Sequence, residues 1–434
     1  MGAAAGTGPD RLAVWEWEEH GERVAGGHWL VSDAERAAAG RETIAERSRA
    51  LLPGNRDRAA LRYADGGCTD GQEMTRVWFR RDAGSLAARL AGQPLTAWAE
   101  DGVLHVLWRG DAARATLAGG IQLPLWPVDG AAGLWEASVR VRRLDEAVIT
   151  LAVSVIGADD ATLGRPAGEP FVFRGPRAPA TAPEGPLAGE LHRHVLESAA
   201  LRAPREVTVY VPPGAGEDGP LPGCVLADGQ SVPSFVPDLE AAILAGTTPP
   251  VVLVGVHNGM AAGLGSGGPA AGRSLKADPR SLEYLPSLRS GRFGAHMSFV
   301  ADEVIPWAAG RFPVPAGPWL AGPWLAGPWL AAGFSNGGVW AIAAGQRRPD
   351  VFGGVAALSA GVPPRRITSR SRQVRHYLAA GALEPGFRRA TGEWAARLER
   401  AGMACRHREW PGGHDNWWWH SELPRALSWL LAPE

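Results

Sequence analysis

"AAGFSNGGVWAIAAG" (331–345) decides how this sequence is read. Inside it, "GFSNG" (333–337) fits the G-x-S-x-G pattern, in which a serine sits at the apex of a sharp strand-to-helix turn. Bulk on either side of such an apex would clash with the neighbouring strand and helix, which is the physical reason for the glycines. Apolar residues lead into the pentapeptide, and "GGVWAIAAGQRRPD" (337–350) follows as a helix ending near Pro349. Ser335 is therefore a candidate nucleophile. The same five residues also suit a turn serine that caps a helix.

A nucleophilic serine needs a base, and the base needs an acid to orient it. Downstream, "PGGHDNWWWH" (411–420) puts His414 in a glycine-bracketed loop after a strand. His376, His407 and His420 lack that setting and are expected on strand or helix surfaces. Between Ser335 and His414 the available acids are Asp350, Glu384, Glu393, Glu399 and Glu409. Glu393 and Glu399 fall on the solvated face of an amphipathic helix, Glu409 within a strand, and Asp350 at the end of the helix after the serine. Glu384 stands where a strand stops, in "AAGALEPG" (379–386), with Pro385 and Gly386 turning the chain away. Open α/β sheets collect their sites at such carboxyl strand ends. An oxyanion formed at this serine needs backbone donors already in place. The Asn336 N–H at the helix start is one candidate. "LADGQS" (226–231) offers the Gln230 N–H as a second, with Gly229 permitting the turn; the alternative is a plain Asp-Gly turn.

Working outward, strands alternate with helices beyond residue 190. "REVTVYVPPG" (205–214), "LPGCVLADGQ" (221–230), "PPVVLVGVHN" (249–258), "VFGGVAALSAG" (351–361), "RHYLAAGALE" (375–384) and "ACRHREWPGGH" (404–414) read as strands. "DLEAAILAG" (238–246), "HMSFVADEVIPWAAGRF" (296–312), "RRATGEWAARLERAG" (388–402) and "SELPRALSWLLAPE" (421–434) read as helices, with Pro306 near an end or at a kink. This alternation predicts a mostly parallel sheet covered on both faces over 190–434. Upstream, "EMTRVWFRRD" (73–82), "GVLHVLWRG" (102–110), "ARATLAGG" (113–120), "LWEASVRVRRLD" (134–145) and "AVITLAVSVIG" (147–157) have a period near two, separated by Gly and Asp turns. They predict a small β-sandwich over 73–163. Residues 164–189, dense in Pro, Gly and Ala, read as a linker, and 1–72 as an extension of unclear structure.

The totals are compatible with this. The chain has 434 residues, 45% hydrophobic and 21% charged, with a formal net charge of -1. That length favours two domains, and that charge draws the chain toward neither nucleic acid nor an anionic membrane. Cys68, Cys224 and Cys405 lie far apart, with no ligand or disulfide spacing. The N-terminus lacks a basic start followed by an apolar run, and no window reaches the length of a membrane span, so a cytoplasmic protein is expected.

These motifs resemble the enterochelin esterase family, cytoplasmic serine esterases that cleave iron-loaded catecholate siderophores. That family joins an N-terminal immunoglobulin-like domain to an esterase-D-type α/β-hydrolase. The resemblance covers about residues 75 to 434 and rests on "VYVPPG" (209–214), "LADGQ" (226–230), "RSLEY" (280–284), "DEVIPW" (302–307), "GFSNGG" (333–338), "GALEPG" (381–386) and "PGGHDNWWW" (411–419). It implies Ser335 as nucleophile, His414 as base and Glu384 as acid, with no metal or organic cofactor and any iron belonging to the substrate. Its Arg-x-x-Glu pattern falls on Arg280 and Glu283, where an arginine would suit an anionic tris-catecholate or form a surface ion pair. Trp419 lies closest to the family's tryptophan position. Trp417, Trp418 and Trp419 either pack the final helix or line the cleft for an aromatic acyl group. A general carboxylesterase, an acyl transferase and a non-catalytic binder are the competing functions.

"AGPWL" occurs three times in tandem over 316–330, directly before the serine motif. Proline removes ladder donors, so all three copies cannot lie inside a central strand. The last copy and "AAGF" are expected in the sheet, with the earlier copies looped out at its amino-terminal end.

Overall fold

A computed structural model of the chain describes residues 11–19, 22–31, 74–76, 82–156, 165–182, 185–259, 278–288, 291–315, 329–363 and 366–432. The extension 1–72 lies mostly outside them, as do repeat residues 316–328. The described residues form two compact units. The first runs to Pro179 and includes the short segments Ala382–Gly386 and Pro411–Gly413; the second holds the rest.

In the first unit, β1 (Arg11–Glu19) and β2 (Glu22–Val31) pair as an antiparallel ladder. The main body contains β3 (Met74–Arg76), α1 (Ala83–Arg89), β4 (Leu95–Glu100), β5 (Val103–Arg109), β6 (Arg114–Gly119), β7 (Leu123–Pro127), β8 (Leu134–Val141), β9 (Val148–Ile156), β10 (Arg165–Pro166) and β11 (Phe171–Arg174). The Asp82 carboxylate accepts the Ser85 N–H at 2.8 Å and so caps α1. All strand pairs are antiparallel, in the order β10-β9-β6-β7-β8-β5-β4. Between β4 and β5 the two-residue turn is Asp101-Gly102, both at positive φ (50° and 72°). That is the hairpin geometry whose twist matches the strands, and Asp-Gly is the pair that tolerates it. Strand alternation then sorts the side chains: Ala115 and Leu117 are buried while Thr116 between them is exposed. β7 pairs with both β6 and β8, and the core gathers Leu104, Val106 and Trp108 from β5 with Leu117, Ile149 and Leu151 from β6 and β9. The segments with a period near two contribute β3, β5, β6, β8 and β9. The Pro- and Gly-rich stretch 164–189 is not wholly a linker, since β10 and β11 both pair with β9. Phe171, Val172 and Phe173 are the strand formers there, set between the proline clusters.

The second unit has an eight-stranded sheet: β12 (Glu190–Ser198), β13 (Ala203–Val211), β14 (Gly223–Ala227), β15 (Val252–Val256), β16 (Trp329–Phe334), β17 (Phe352–Leu358), β18 (Arg375–Gly381) and β19 (Cys405–Trp410). Their order is β12-β13-β15-β14-β16-β17-β18-β19; β12, β13 and β15 meet antiparallel, and every later pair is parallel. β14, β15 and β17 are buried at every residue, as parallel strands covered on both faces must be. The covering helices are α2 (Val232–Leu244), α3 (Pro279–Tyr284), α4 (Gly291–Ser298), α5 (Ile305–Ala309), α6 (Asn336–Arg347), α7 (Pro385–Arg400) and α8 (Asn416–Leu431). A π-helical turn, Phe299–Val304, joins α4 to α5 ahead of Pro306, so the single helix expected over 296–312 is three consecutive pieces. Trp329, Trp340 and Trp394 are among the largest fully buried side chains of this unit. The end of the last AGPWL copy, Trp329 and Leu330, does enter β16 with "AAGF".

One buried carboxylate secures the start of this unit. Glu240 on α2 accepts the N–H groups of Ala188 and Gly189 at 2.8 and 2.7 Å and the Tyr210 hydroxyl at 2.9 Å. A buried carboxylate with three donors is satisfied, and here it fixes the chain as it enters β12.

Candidate active site

The sheet order reverses direction at one place. After β14 the chain goes through α2 to β15 on one side; after β16 it goes through α6 to β17 on the other. β14 and β16 are paired neighbours, so the loops at their carboxyl ends diverge and leave a crevice between them. Asp228, Gly229 and Gln230 leave β14 there, and Ser335 and Asn336 leave β16.

Ser335 has φ 54° and ψ −125° and precedes the first residue of α6. A non-glycine residue in such a conformation is strained, by about 1–3 kcal/mol, and persists only where its surroundings hold it. Those surroundings are visible. Its N–H donates to the Leu358 carbonyl at 2.9 Å, and its carbonyl accepts the Gly338 N–H at 3.0 Å. A Cβ on Gly333 would lie 2.3 Å from the Gly337 carbonyl oxygen, and one on Gly338 would lie 2.9 Å from that of Leu358. The glycines thus let β16, α6 and β17 converge under the serine, as the pentapeptide required. Asn336 is the first residue of α6; its backbone N–H has no acceptor among the described residues, as first-turn donors of a helix do not.

Gly229 serves the site differently from the sequence reading. The left-handed residue is Asp228, at φ 61° and ψ 51°, while Gly229 begins a short 3-10 turn. Gly229 is needed for close approach, because a Cβ there would lie 2.2 Å from the Gly255 carbonyl carbon of β15. The Gln230 N–H also has no acceptor among the described residues.

Arg280 is not a free cation. Its Nε and Nη2 donate to the two Asp228 oxygens at 2.7 and 2.6 Å, in a bidentate pair with both side chains largely buried. Burial works against the guanidinium charge, but the Asp228 carboxylate outweighs it and holds the pKa above its ordinary value. Glu283, the other end of the Arg-x-x-Glu pattern, bonds instead to Arg205 at 2.7 and 2.9 Å. Neither residue forms the surface pair that the pattern allowed.

His414 follows β19, and its ring packs against Phe387 at 4.3 Å and edge-on to Trp419 at 4.7 Å. Trp419 in turn stacks on Phe334, the residue before Ser335, at 4.5 Å and 21°. Its indole N–H donates to the Ser359 hydroxyl at 2.9 Å, and it is 5% exposed. The aromatic chain Phe334–Trp419–His414 therefore brings the imidazole to the end of the sheet that carries Ser335. Trp418 stacks on Trp410 and meets Trp417 edge-on, a packing role. β18 and β19 are parallel neighbours with Gly381 opposite Trp410, and the loops that leave them carry Glu384 and His414. A backbone bond from the Leu383 N–H to the Gly412 carbonyl, 2.8 Å, ties those loops together. Glu384 is 5% exposed. The other acids are accounted for: Glu393 and Glu399 are exposed on α7, Glu409 pairs with Arg388, and Asp350 pairs with Arg348.

Of the three histidines expected on surfaces, His376 is the one the structure places in the core. His376 is fully buried on β18, and His407 and His420 are partly buried. Burial pushes His376 and His420 down to about 4. A histidine on a strand inside a parallel sheet has no solvent face, which the single residue could not reveal.

A family model described as "Putative esterase" matches residues 198–430. No curated protein sequence matches the chain significantly. Among solved structures, the chain is similar to the enterobactin esterase of Shigella flexneri determined in the presence of enterobactin, with TM-score 0.55 and 18% identity over 81% of this chain and 99% of that one. The same esterase with 2,3-dihydroxy-N-benzoyl-serine gives TM-score 0.56 and 17% identity over 79% and 97%. The ferric enterobactin esterase of Salmonella typhimurium gives 0.57 and 17% over 79% and 98%. These likenesses establish a shared fold, and no helix among the described residues is long and apolar enough to cross a membrane. Since the family model spans more than half of its length, the chain belongs to this esterase family and is a carboxylic ester hydrolase built on the α/β-hydrolase fold.

Proposed function

We propose that the chain is a serine esterase acting through an acyl-enzyme, with Ser335 as nucleophile, His414 as general base and Glu384 as the acid that orients it. The carrying observation is the positive-φ apex at Ser335, held at the carboxyl end of β16 beside a first-turn N–H that has no acceptor among the described residues. In this reading the Ser335 Oγ forms a bond to the ester carbonyl carbon while His414 takes its proton. The charge on the carbonyl oxygen is held by the Asn336 and Gln230 N–H groups. The C–O bond to the alcohol breaks as His414 returns the proton to that oxygen. Water, deprotonated by His414, then attacks the acyl carbon; the bond from that carbon to the Ser335 Oγ breaks, His414 returns the proton to Oγ, and the carboxylic acid leaves.

For substrate, we propose the ester of a ferric catecholate siderophore of the enterobactin kind, opened in the cytoplasm, the iron being cargo of the substrate. The support is the extent of the likeness, which spans nearly the full length of the enterobactin esterases. One observation favours a second reading, a general carboxylesterase or acyl transferase: the Arg280 charge, offered to an anionic substrate on the first reading, is already taken by Asp228. A panel of ferric catecholate trilactone, aryl acetate and feruloyl ester separates these. The siderophore reading predicts the highest kcat/KM, by about tenfold or more, on the trilactone. A preference for the simple esters contradicts it.

A further inference from the structure

The short helix α3 touches both segments that carry the candidate oxyanion donors, and consecutive residues make the contacts. Arg280 holds the Asp228 carboxylate bidentately and extends Nη2 to the Phe334 carbonyl at 3.5 Å. Asp228 lies two residues before Gln230; Phe334 lies two before Asn336. Ser281, the next residue on α3, accepts the Asn336 Nδ2–H at 3.1 Å and donates its own hydroxyl hydrogen to Asp278. The Tyr284 hydroxyl accepts the Asp228 N–H at 2.8 Å. Asn258 completes the shell, its Nδ2 donating to Asp228 at 2.7 Å.

Asp228 needs such a shell. It is a buried, left-handed, non-glycine residue, and its carbonyl accepts the Ser231 N–H at 2.8 Å to close the turn that presents Gln230. An oxyanion hole assembled from two different strand ends works only if its donors are set in advance, because reorganisation during reaction forfeits the stabilisation. Small misplacements cost rate steeply.

From this we infer that Arg280 is a positioning residue: through Asp228 and Phe334 it sets the spacing of the Gln230 and Asn336 N–H groups and leaves no charge over for the substrate. The inference rests on the serine esterase reading. It departs from a substrate-binding role for Arg280 in a way kinetics can separate. A charge receptor changes KM for anionic esters; a spacer for the oxyanion donors changes kcat for every ester.

The experiment compares wild type with Arg280→Lys, Asp228→Asn and the double variant on neutral p-nitrophenyl acetate and anionic p-nitrophenyl hemisuccinate, with thermal unfolding as a fold control. Lysine keeps the charge but cannot make the two-pronged bond. We expect each single variant to lower kcat about 10- to 100-fold on both esters, with KM within about threefold, since losing one oxyanion donor outright costs about 100- to 1,000-fold. The double variant should fall no further than the worse single one, because the two residues act as one device. Should Arg280→Lys not fold, Ser281→Ala removes only the Asn336 side-chain contact and should lower kcat about threefold. Should wild type turn over neither ester, the rate of Ser335 phosphonylation by a fluorophosphonate replaces kcat. Unchanged kcat in the folded variants overturns the inference, as does a KM increase confined to the hemisuccinate. Loss of Ser335 labelling in wild type would instead overturn the esterase reading itself.

Discussion

Ser335→Ala should lower kcat for ester hydrolysis by more than about a thousandfold while leaving thermal unfolding near that of wild type. Removing the nucleophile of a serine hydrolase leaves only binding and oxyanion stabilisation, and losses of order a millionfold are known for that change. The fold should tolerate it, because the serine's structural bonds at 335 come from its backbone, to Leu358 and from Gly338, and alanine keeps both. The strained φ of 54° remains in the variant, so no large gain in stability is expected either. Steady-state kinetics and a melting curve check the two halves together; hydrolysis retained in a folded variant would remove Ser335 from the chemistry.

Acid is the second large effect. His296 and His376 are wholly buried, and burial pushes each down to about 4. His296 sits between the Tyr284 and Trp340 rings, 5.3 and 5.7 Å away, with neither ring nitrogen hydrogen-bonded among the described residues. Glu283 pulls its pKa up and Arg205 down, but both effects are smaller than burial. His376 has one bond, to the Val374 carbonyl at 2.9 Å. In the unfolded chain a histidine titrates near 6.5, so below that pH the unfolded state binds protons that the folded state refuses. Their stabilisation is therefore complete above about pH 6.5 and lost as pH falls toward 4. At pH 4.5 each histidine costs about 2–3 kcal/mol, and the pair about 5, a large share of a typical folding free energy. Denaturant unfolding at pH 7.5 and 4.5 should differ by about that amount, and His376→Leu should flatten the dependence. Equal stability at both pH values would mean that the two imidazoles are not buried as described.

Much of this was legible because the sequence states it locally. Ser335, its glycines and the helix after it occupy one short run whose steric logic can be read in order, and β14, β15 and β17 announce themselves as unbroken apolar stretches. What stayed hidden depends on residues distant in the chain. The Arg280–Asp228 pair joins positions 52 apart, and no periodicity links them. The need for glycine at 229 comes from its closeness to Gly255 on β15 and so belongs to the sheet, not to the turn. β7 holds Pro124 and Pro127, which argue against a strand, yet Pro124 is set opposite Thr116 and Pro127 opposite Trp135. Trp419 could be read as lining or as packing. Its stacking on Phe334, its bond to Ser359 and its edge against His414 join residues distant in the chain, contacts that only the folded geometry displays.

Peptide mapping of the wild-type protein after reaction with a fluorophosphonate tests the central claim most directly. The adduct should fall on Ser335, form stoichiometrically, and slow by at least about a hundredfold when His414 is replaced by Ala, since the hydroxyl then lacks its base. An adduct on another residue, or none from a folded and pure protein, would contradict the account.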